Sequence, residues 1–197
     1  MPINPTTIAD NIVLKLPSGW RPNWTNGVPP KEWAEKFALD VQTMWTALTM
    51  TPGTGPAPPA PPVPPYQHSH SGLLVVPSST NMGTLGYSSL AQSMFTAMGT
   101  KFATHLQANF ATSTVDGIIS HTHTISGLAA TAATLASSFK LAATGLNIHG
   151  AAMPDQGDQN SLDLIFAAFA EGTLGHLEGS GTLALSGPLV GHVHAVS

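Results

Sequence analysis

We begin from residues 191–197, which read Gly191-His192-Val193-His194-Ala195-Val196-Ser197. Their His-x-His pair occurs twice more, as His68-Ser69-His70 and as His121-Thr122-His123, so that three pairs hold six of the nine histidines. Nine histidines placed at random in a chain of this length would give roughly 0.4 such pairs. The excess indicates that the pairs share a physical purpose.

Metal chelation is the purpose that this spacing favours. Residues i and i+2 of an extended strand point to the same face, with their β-carbons about 7 Å apart. Two neutral imidazoles placed in this way suit zinc, copper, iron or nickel. The alternating residues 190–196 and the β-branched residues of 118–125 predict strands around two of the pairs. The alternative is that the pairs are merely polar residues of strands or loops. The predicted metal ligands are His68, His70, His121, His123, His192 and His194.

Two ligands hold a metal weakly, so further ligands must come from elsewhere. One option is a third ligand in the same chain, as in a zinc enzyme that keeps one position open for water. The other option is three parallel chains that place six imidazole nitrogens on one three-fold axis. Between residues 51 and 154 the only charged residues are Lys101, Asp116 and Lys140. Because no carboxylate recurs at a fixed offset from the pairs, symmetry is the favoured interpretation.

The composition narrows the class of protein. Charged residues make up 8% of the chain, against about 25% in ordinary globular proteins. This scarcity predicts an obligate oligomer in which small residues pack between chains. There is no cysteine for disulfides or thiolate ligands, and the N-terminus does not read as a signal peptide. A net charge of -4 with six Lys and Arg argues against nucleic-acid binding.

The chain divides into three predicted parts. Residues 1–50 hold half of the charged residues and all four tryptophans, and they predict a small helical attachment module. Residues 51–65 contain eight prolines and no charge, which predicts a polyproline II linker. Such a segment also suits docking in an aromatic groove, which is an alternative role. Residues 66–197 are predicted to form the metal-binding domain.

Apolar spacing predicts the individual elements. A strand is predicted over Ile8–Leu16, and helices are predicted from Pro30, over Ser88–Thr112 and over Ser161–Glu171, the last ending at Gly172. Residues 127–144 are ambiguous between a helix and tight interchain packing, and residues 172–191 predict glycine-rich strands. Together these elements predict an α+β protein: an elongated, intertwined parallel homotrimer whose extended strands carry the His-x-His metal sites, with some helices.

The stretches His121-Thr-His-Thr-Ile-Ser-Gly and Gly191-His-Val-His resemble the His-x-His sites of bacteriophage tail fibres, needles and central spikes. In that family three chains intertwine, and each pair from three subunits binds one iron ion octahedrally on the axis. The resemblance implies a homotrimer with iron as cofactor (zinc and nickel are alternatives) and the six histidines as its ligands. It covers about 20 residues in three patches and none of residues 1–65.

The function expected from this resemblance is structural and not enzymatic. The protein would be the central spike or tail tip of a phage or phage-like contractile particle, located in the virion. Residues 1–50 would dock on a baseplate hub, and the C-terminal tip would meet the host envelope. An alternative is a receptor-binding fibre or adhesin tip, with 145–160 as its recognition loop. A metal-dependent hydrolase is less favoured, because a third ligand and a general base are missing at usable spacing.

Overall fold

The computed structural model describes residues 3–20, 29–50, 67–68, 73–112, 115–116, 120–152, 155–180 and 182–186, and these residues are mostly helical. The α-helices are α1 (Pro5–Lys15), α2 (Pro29–Thr46), α3 (Thr80–Gly83), α4 (Ser89–Asn109), α5 (Ala132–Gly145) and α6 (Gln156–Ser180). The strands are β1 (Thr49–Met50), β2 (Gln67–His68), β3 (Leu73–Leu74), β4 (Ala111–Thr112), β5 (Val115–Asp116), β6 (Ser120–Ser126) and β7 (Thr182–Ser186).

The strands of the described residues form three small antiparallel sheets. Strand β1 pairs with β3, and β2 pairs with β5. The third sheet has the order β4-β6-β7, with β6 in the middle. Its longest ladder runs between β6 and β7, from the pair Ser120–Ser186 to the pair Thr124–Thr182.

The predicted fold class is wrong. The chain is a mostly helical domain, not an extended, strand-rich, intertwined trimer. An intertwined shaft would draw apolar partners from neighbouring chains, whereas here the large apolar side chains find partners within one chain. The scarcity of charge misled the prediction, because several Ala residues, together with Gly99 and Gly172, instead pack between elements of the same chain.

Helix α1 replaces the strand predicted over Ile8–Leu16. The side chain of Asn4 accepts hydrogen bonds from the backbone N–H groups of Thr6 and Thr7, and Pro5 stands at the first helical position. Both features favour the start of a helix. The buried positions of α1 are also spaced as on a helix, and they are Ile8, Ala9, Ile12 and Val13. The predicted strand is therefore wrong, because capping and burial favour a helix.

The helices predicted from the longest apolar stripes are present. Apolar residues spaced by three and four form a stripe along α2 and just beyond it. Of these, Trp33 is partly buried, and the other four are buried: Phe37, Val41, Met44 and Leu48. Helix α4 buries Met94, Met98, Phe102 and Leu106, also as the spacing predicts. Residues 127–144, ambiguous in sequence, form a 3₁₀ turn followed by α5. Helix α6 is longer than predicted, because it begins at Gln156 and continues past Gly172 to Ser180. The strands predicted from Gly172 onward are therefore wrong up to Ser180.

The core of the described residues centres on the ring of Phe37. Its centroid lies 5.8 Å from that of Phe102, 6.2 Å from that of Phe139 and 5.2 Å from that of Phe169. These four side chains are at most 1% exposed. Aromatic pairs in such tilted and edge-to-face arrangements add about 0.5–1.5 kcal/mol each beyond their burial. One side chain of α2 therefore connects α4, α5 and α6.

Asp40 lies one turn after Phe37 and is only 1% exposed. Its Oδ1 accepts hydrogen bonds from Ser78 Oγ at 2.9 Å and from the backbone and side-chain amides of Asn81. Its Oδ2 accepts from the backbone N–H of Met82 at 2.9 Å. This carboxylate thus satisfies the buried donors at the start of α3 and holds residues 78–82 against α2.

The same segment packs closely on α4. A β-carbon added to Gly99 would lie 2.2 Å from the carbonyl oxygen of Ser78. Only glycine therefore allows α4 to approach this backbone. A glycine in the middle of a helix lowers the stability of the helix. Gly99 is placed there because the packing requires it.

The predicted boundaries 1–50, 51–65 and 66–197 remain a prediction, because residues 51–65 lie outside the described ranges. The described core is shared by residues from both sides of the linker, as the contact between Phe37 and Phe169 illustrates. No helix within the described ranges is long and apolar enough to cross a membrane.

We expect Asp40→Ala to lower the free energy of unfolding by about 3 kcal/mol, because it leaves buried donors without an acceptor. Urea denaturation followed by circular dichroism measures the change. The matched control is Asp10→Ala, which removes an exposed carboxylate 3.8 Å from Lys31 Nζ and should cost less than about 1 kcal/mol. Equal effects of the two substitutions would contradict the role assigned to Asp40.

Two glycines of α6 should respond oppositely to alanine. A β-carbon on Gly172 would lie 2.6 Å from the backbone nitrogen of Ile12, whereas nothing lies within 4 Å of one on Gly175. Gly172→Ala should therefore separate α1 from α6 and destabilise the protein, whereas Gly175→Ala should stabilise it by roughly 0.5–1 kcal/mol through helix propensity. Thermal denaturation of the two variants measures these changes in stability. If Gly172→Ala stabilised the protein, the prediction would be wrong, because α1 could then move away from α6 without a loss of stability.

Candidate functional site

Strand β6 carries the second His-x-His pair and alternates as predicted where its side chains are described. His123 and Ile125 are buried, whereas Thr124 and Ser126 are exposed. His121 belongs to the same strand, so its β-carbon lies on the same face as that of His123. The geometry on which chelation by this pair depends is therefore available in the backbone.

The strand register sets the neighbours of this pair. His123 lies opposite Leu183 and His121 lies opposite Leu185 on strand β7. Directly opposed residues of an antiparallel pair share a face of the sheet. The described histidine of this pair, His123, is 0% exposed. This imidazole is enclosed by its own chain.

The first pair begins on strand β2, where His68 lies opposite Val115 of β5. Strand β5 in turn contacts β6, so β2 and β6 both lie next to β5. His70, His192 and His194 lie outside the described residues, and the side chains of His68 and His121 are likewise not described. The third pair follows six residues after the end of β7 at Ser186.

The end of β6 is fixed to α6 by a carboxylate. Glu178 accepts hydrogen bonds from the backbone N–H of Gly127 through Oε1, at 3.0 Å, and from that of Ala129 through Oε2. Gly127 has a φ of +79°, a left-handed conformation that suits glycine. The chain can therefore turn sharply after the histidine strand while its amides stay paired.

Within the described residues, no group of three or more His, Cys, Asp or Glu side chains lies close enough to hold a metal ion. A metal bound by His121 and His123 would then need ligands from the rest of the chain or from another copy. Iron, zinc and nickel remain the predicted metals, because imidazole nitrogen suits all three.

The histidines outside the pairs have contacts within the body of the protein. His105 Nε2 lies 2.7 Å from Thr131 Oγ1, and its backbone carbonyl accepts from Asn109 Nδ2. His149 Nε2 lies 2.9 Å from Asp163 Oδ1, and Lys140 Nζ lies 2.6 Å from the other oxygen of that carboxylate. His105 and His149 thus connect packed elements.

Sequence reasoning missed an apolar pocket between α2, α4 and α6. Three rings stand edge to face at its wall, with centroids 6.0 Å apart for Trp33 and Tyr87, 6.3 Å for Trp33 and Phe95, and 6.1 Å for Tyr87 and Phe95. Trp33 Nε1 donates a hydrogen bond to Tyr87 Oη at 3.1 Å. The pocket has a volume of about 170 Å³, and no charged residue lines it. The signal in the sequence was Trp33, the stripe residue of α2 that is only partly buried.

Comparison of the chain with known protein families, with curated proteins and with solved structures finds no match.

Buried histidines make the stability depend on pH. Burial lowers the pKa of His105 and of His176 below the usual 6.5, because it disfavours the imidazolium. The unfolded chain therefore binds more protons than the folded chain as the pH falls below about 6.5. The stability contributed by neutral His105 and His176 is complete above that pH and is lost as the pH falls toward their folded pKa values.

We expect His105→Gln to reduce the loss of unfolding free energy between about pH 7.5 and about pH 5.5 relative to the unsubstituted chain. Urea titrations at several pH values measure this slope. Gln107→Ala, on the same helix, removes no titratable group in this range and should leave the slope unchanged. If His105→Gln loses unfolding free energy with falling pH as steeply as the unsubstituted chain, the contribution assigned to His105 is wrong.

Proposed function

We propose that this protein is a structural, non-enzymatic component of the tail tip of a phage or phage-like contractile particle. The observation that carries the proposal is the threefold recurrence of His-x-His, with one pair seated on a regular strand, β6. A chain that recruits metal at several strand pairs gains cross-links that require neither disulfides nor a large core. Such cross-links suit a particle that must withstand mechanical load.

The proposed architecture differs from an intertwined shaft. The helical body forms a compact mount on its own, and three copies join through a metal ion at His192 and His194, because His123 is enclosed by its own chain. Six imidazoles from three copies would complete an octahedral shell around iron. Because such a shell leaves no position for water, it favours a structural role over a catalytic one.

The proposed arrangement assigns a role to each part of the chain. We place the attachment to a baseplate hub in residues 1–50 and the contact with the host envelope at the C-terminal pair. The stretch 145–160, which would be the recognition loop of an adhesin, contains the 3₁₀ turn Gly150–Ala152 and the start of α6. Because a 3₁₀ turn and helix make up much of its described part, we favour the spike or tail-tip role over receptor binding.

Native mass spectrometry combined with metal analysis of the full chain tests the proposal. We expect three copies per particle with iron bound, and chelation should dissociate them. Replacing His192 and His194 together by alanine should remove one metal ion per three chains while the helical content stays unchanged, because the pair lies beyond the described helices. His149→Gln, outside the pairs, should leave the metal content unchanged.

A monomer free of metal at micromolar concentration would contradict the proposal. An unchanged metal content after the double substitution would show that His192 and His194 are not ligands. Metal should also leave as the pH falls below about 6.5, since imidazole must be neutral to bind.

A further inference from the structure

We propose that His105 is a pH-sensitive link: its neutral imidazole keeps strands β4 and β6 paired, and its protonation in mild acid lets the two strands separate. The proposal does not rest on the tail-tip function, because it uses only contacts within one chain. It adds a local opening at one sheet to the effect of His105 on the stability of the whole protein.

His105 contacts the chain on both sides of this strand pair. Its Nε2 lies 2.7 Å from Thr131 Oγ1, in the turn that follows β6. Its Nδ1 lies 3.4 Å from Nδ2 of Asn109, two residues before β4. The strands are antiparallel and pair over Ala111 and Thr112, so the start of β4 and the end of β6 lie at the same end of this ladder. One imidazole therefore connects the two strands where they meet.

The hydrogen bonds define the tautomer of His105. Thr131 Oγ1 donates its proton to the carbonyl oxygen of Leu128 at 2.7 Å, so it accepts from His105. Nε2 therefore carries the imidazole proton, and Nδ1 accepts from the side-chain amide of Asn109. The same amide also donates to the backbone carbonyl of His105 at 2.9 Å. The neutral imidazole thus has a partner at each nitrogen.

These partners do not suit the imidazolium. Protonation adds a proton to Nδ1, which then faces the NH₂ group of Asn109, a donor against a donor. Turning the Asn109 amide over would bring its oxygen against the backbone carbonyl of His105, an acceptor against an acceptor. The charged ring is therefore satisfied only if the chain on one side of the link moves away.

The charged groups around α4 do not compensate the imidazolium. Among the described elements packed against this helix, β3 and α3 carry no charge, and α5 carries only Lys140, more than two turns from its start. The last charge of α2 is Asp40, whose carboxylate accepts from residues 78–82. On α4 itself Lys101 lies one turn before His105 and repels a positive ring.

The direction of the pH effect follows from burial. His105 is 5% exposed, and burial lowers its pKa below the usual 6.5. The paired state is therefore fully favoured above about pH 6.5, and the open state gains as the pH falls toward the folded pKa. If the paired state holds only the neutral ring, the opening equilibrium rises about tenfold between about pH 7.5 and about pH 5.5.

The opening is local, because the residues beside the link have other contacts in the core. Phe110, directly before β4, packs on Trp45 with ring centroids 6.5 Å apart. Leu128, in the turn after β6, is 0% exposed. Glu178 of α6 also accepts from two backbone amides of this turn. The helices therefore stay packed while the short ladder between β4 and β6 separates.

Hydrogen exchange of the full chain, measured residue by residue by NMR, tests the proposal. A chelator is present, so that no metal holds β6, and protection is expressed relative to an unstructured peptide at the same pH. Between about pH 7.5 and about pH 5.5, protection of amides 111–112 and 125–126 should fall up to about tenfold more in the unsubstituted chain than in His105→Gln. His123 is present in both proteins, so the comparison removes its contribution.

Two further substitutions separate the charge from the contact. Asn109→Asp places a carboxylate opposite Nδ1, where it accepts from the imidazolium, so the fall in protection should become smaller than in the unsubstituted chain. Thr131→Val removes the acceptor of Nε2 and should lower the protection of the ladder already at pH 7.5. Thr134→Val, at an exposed position of α5, is the matched control and should behave as the unsubstituted chain.

Equal falls in protection with and without His105 would overturn the proposal. A second measurement tests whether the opening is local, since the effect of urea scales with the surface exposed. At pH 5.5, about 1 M urea should speed exchange of the buried amides of α2 and leave that of the ladder nearly unchanged. Equal acceleration of both would show that β4 and β6 separate only when the whole chain unfolds, which would also overturn the proposal.

Discussion

The contact of one phenylalanine with three others determines how the helices of this protein meet. Phe37 projects from α2 onto Phe102, Phe139 and Phe169, each from a different helix. Because protein interiors are close-packed, a ring shared by four helices leaves each of them little freedom to shift. The buried carboxylate of Asp40, one turn further along α2, adds the polar counterpart by pairing with residues 78–82. Helix α2 therefore supplies both the aromatic contacts of Phe37 and the hydrogen bonds of Asp40.

The sequence was informative where a pattern is local. The stripes spaced by three and four residues located α2 and α4, because a helix face that meets a core must repeat with that period. The same reasoning failed for α1, whose β-branched residues resemble a strand until Asn4 and Pro5 are read as a cap. It also failed at Gly172, which ends a helix in most local contexts but here gives Ile12 room to approach. That approach depends on a helix far away in the chain, which no local pattern contains.

The candidate site was likewise predictable where the pattern is local, and not where it depends on residues that are distant in the sequence. Period-two alternation predicted a strand at His121 and His123, and β6 has it. The pairing of β6 with β7 could not be predicted, because the partner residues are some 60 positions apart. The aromatic pocket could not be predicted, because Trp33 and Tyr87 are 54 residues apart and neither carries a recognisable motif. A low content of charged residues led to the prediction of contacts between chains. It does not show how many small residues pack within one chain instead.

The packing of α1 against α6 has a consequence for biosynthesis. Ile12 and Gly172 touch across about 160 residues of sequence, so α1 must wait for α6 after it leaves the ribosome. At roughly 5–20 residues per second, that wait lasts on the order of 8–30 s. Throughout it Ile8 and Ile12, both fully buried in the finished protein, lack their final cover. Until α6 has been released, α1 therefore keeps apolar surface in water that the finished protein buries.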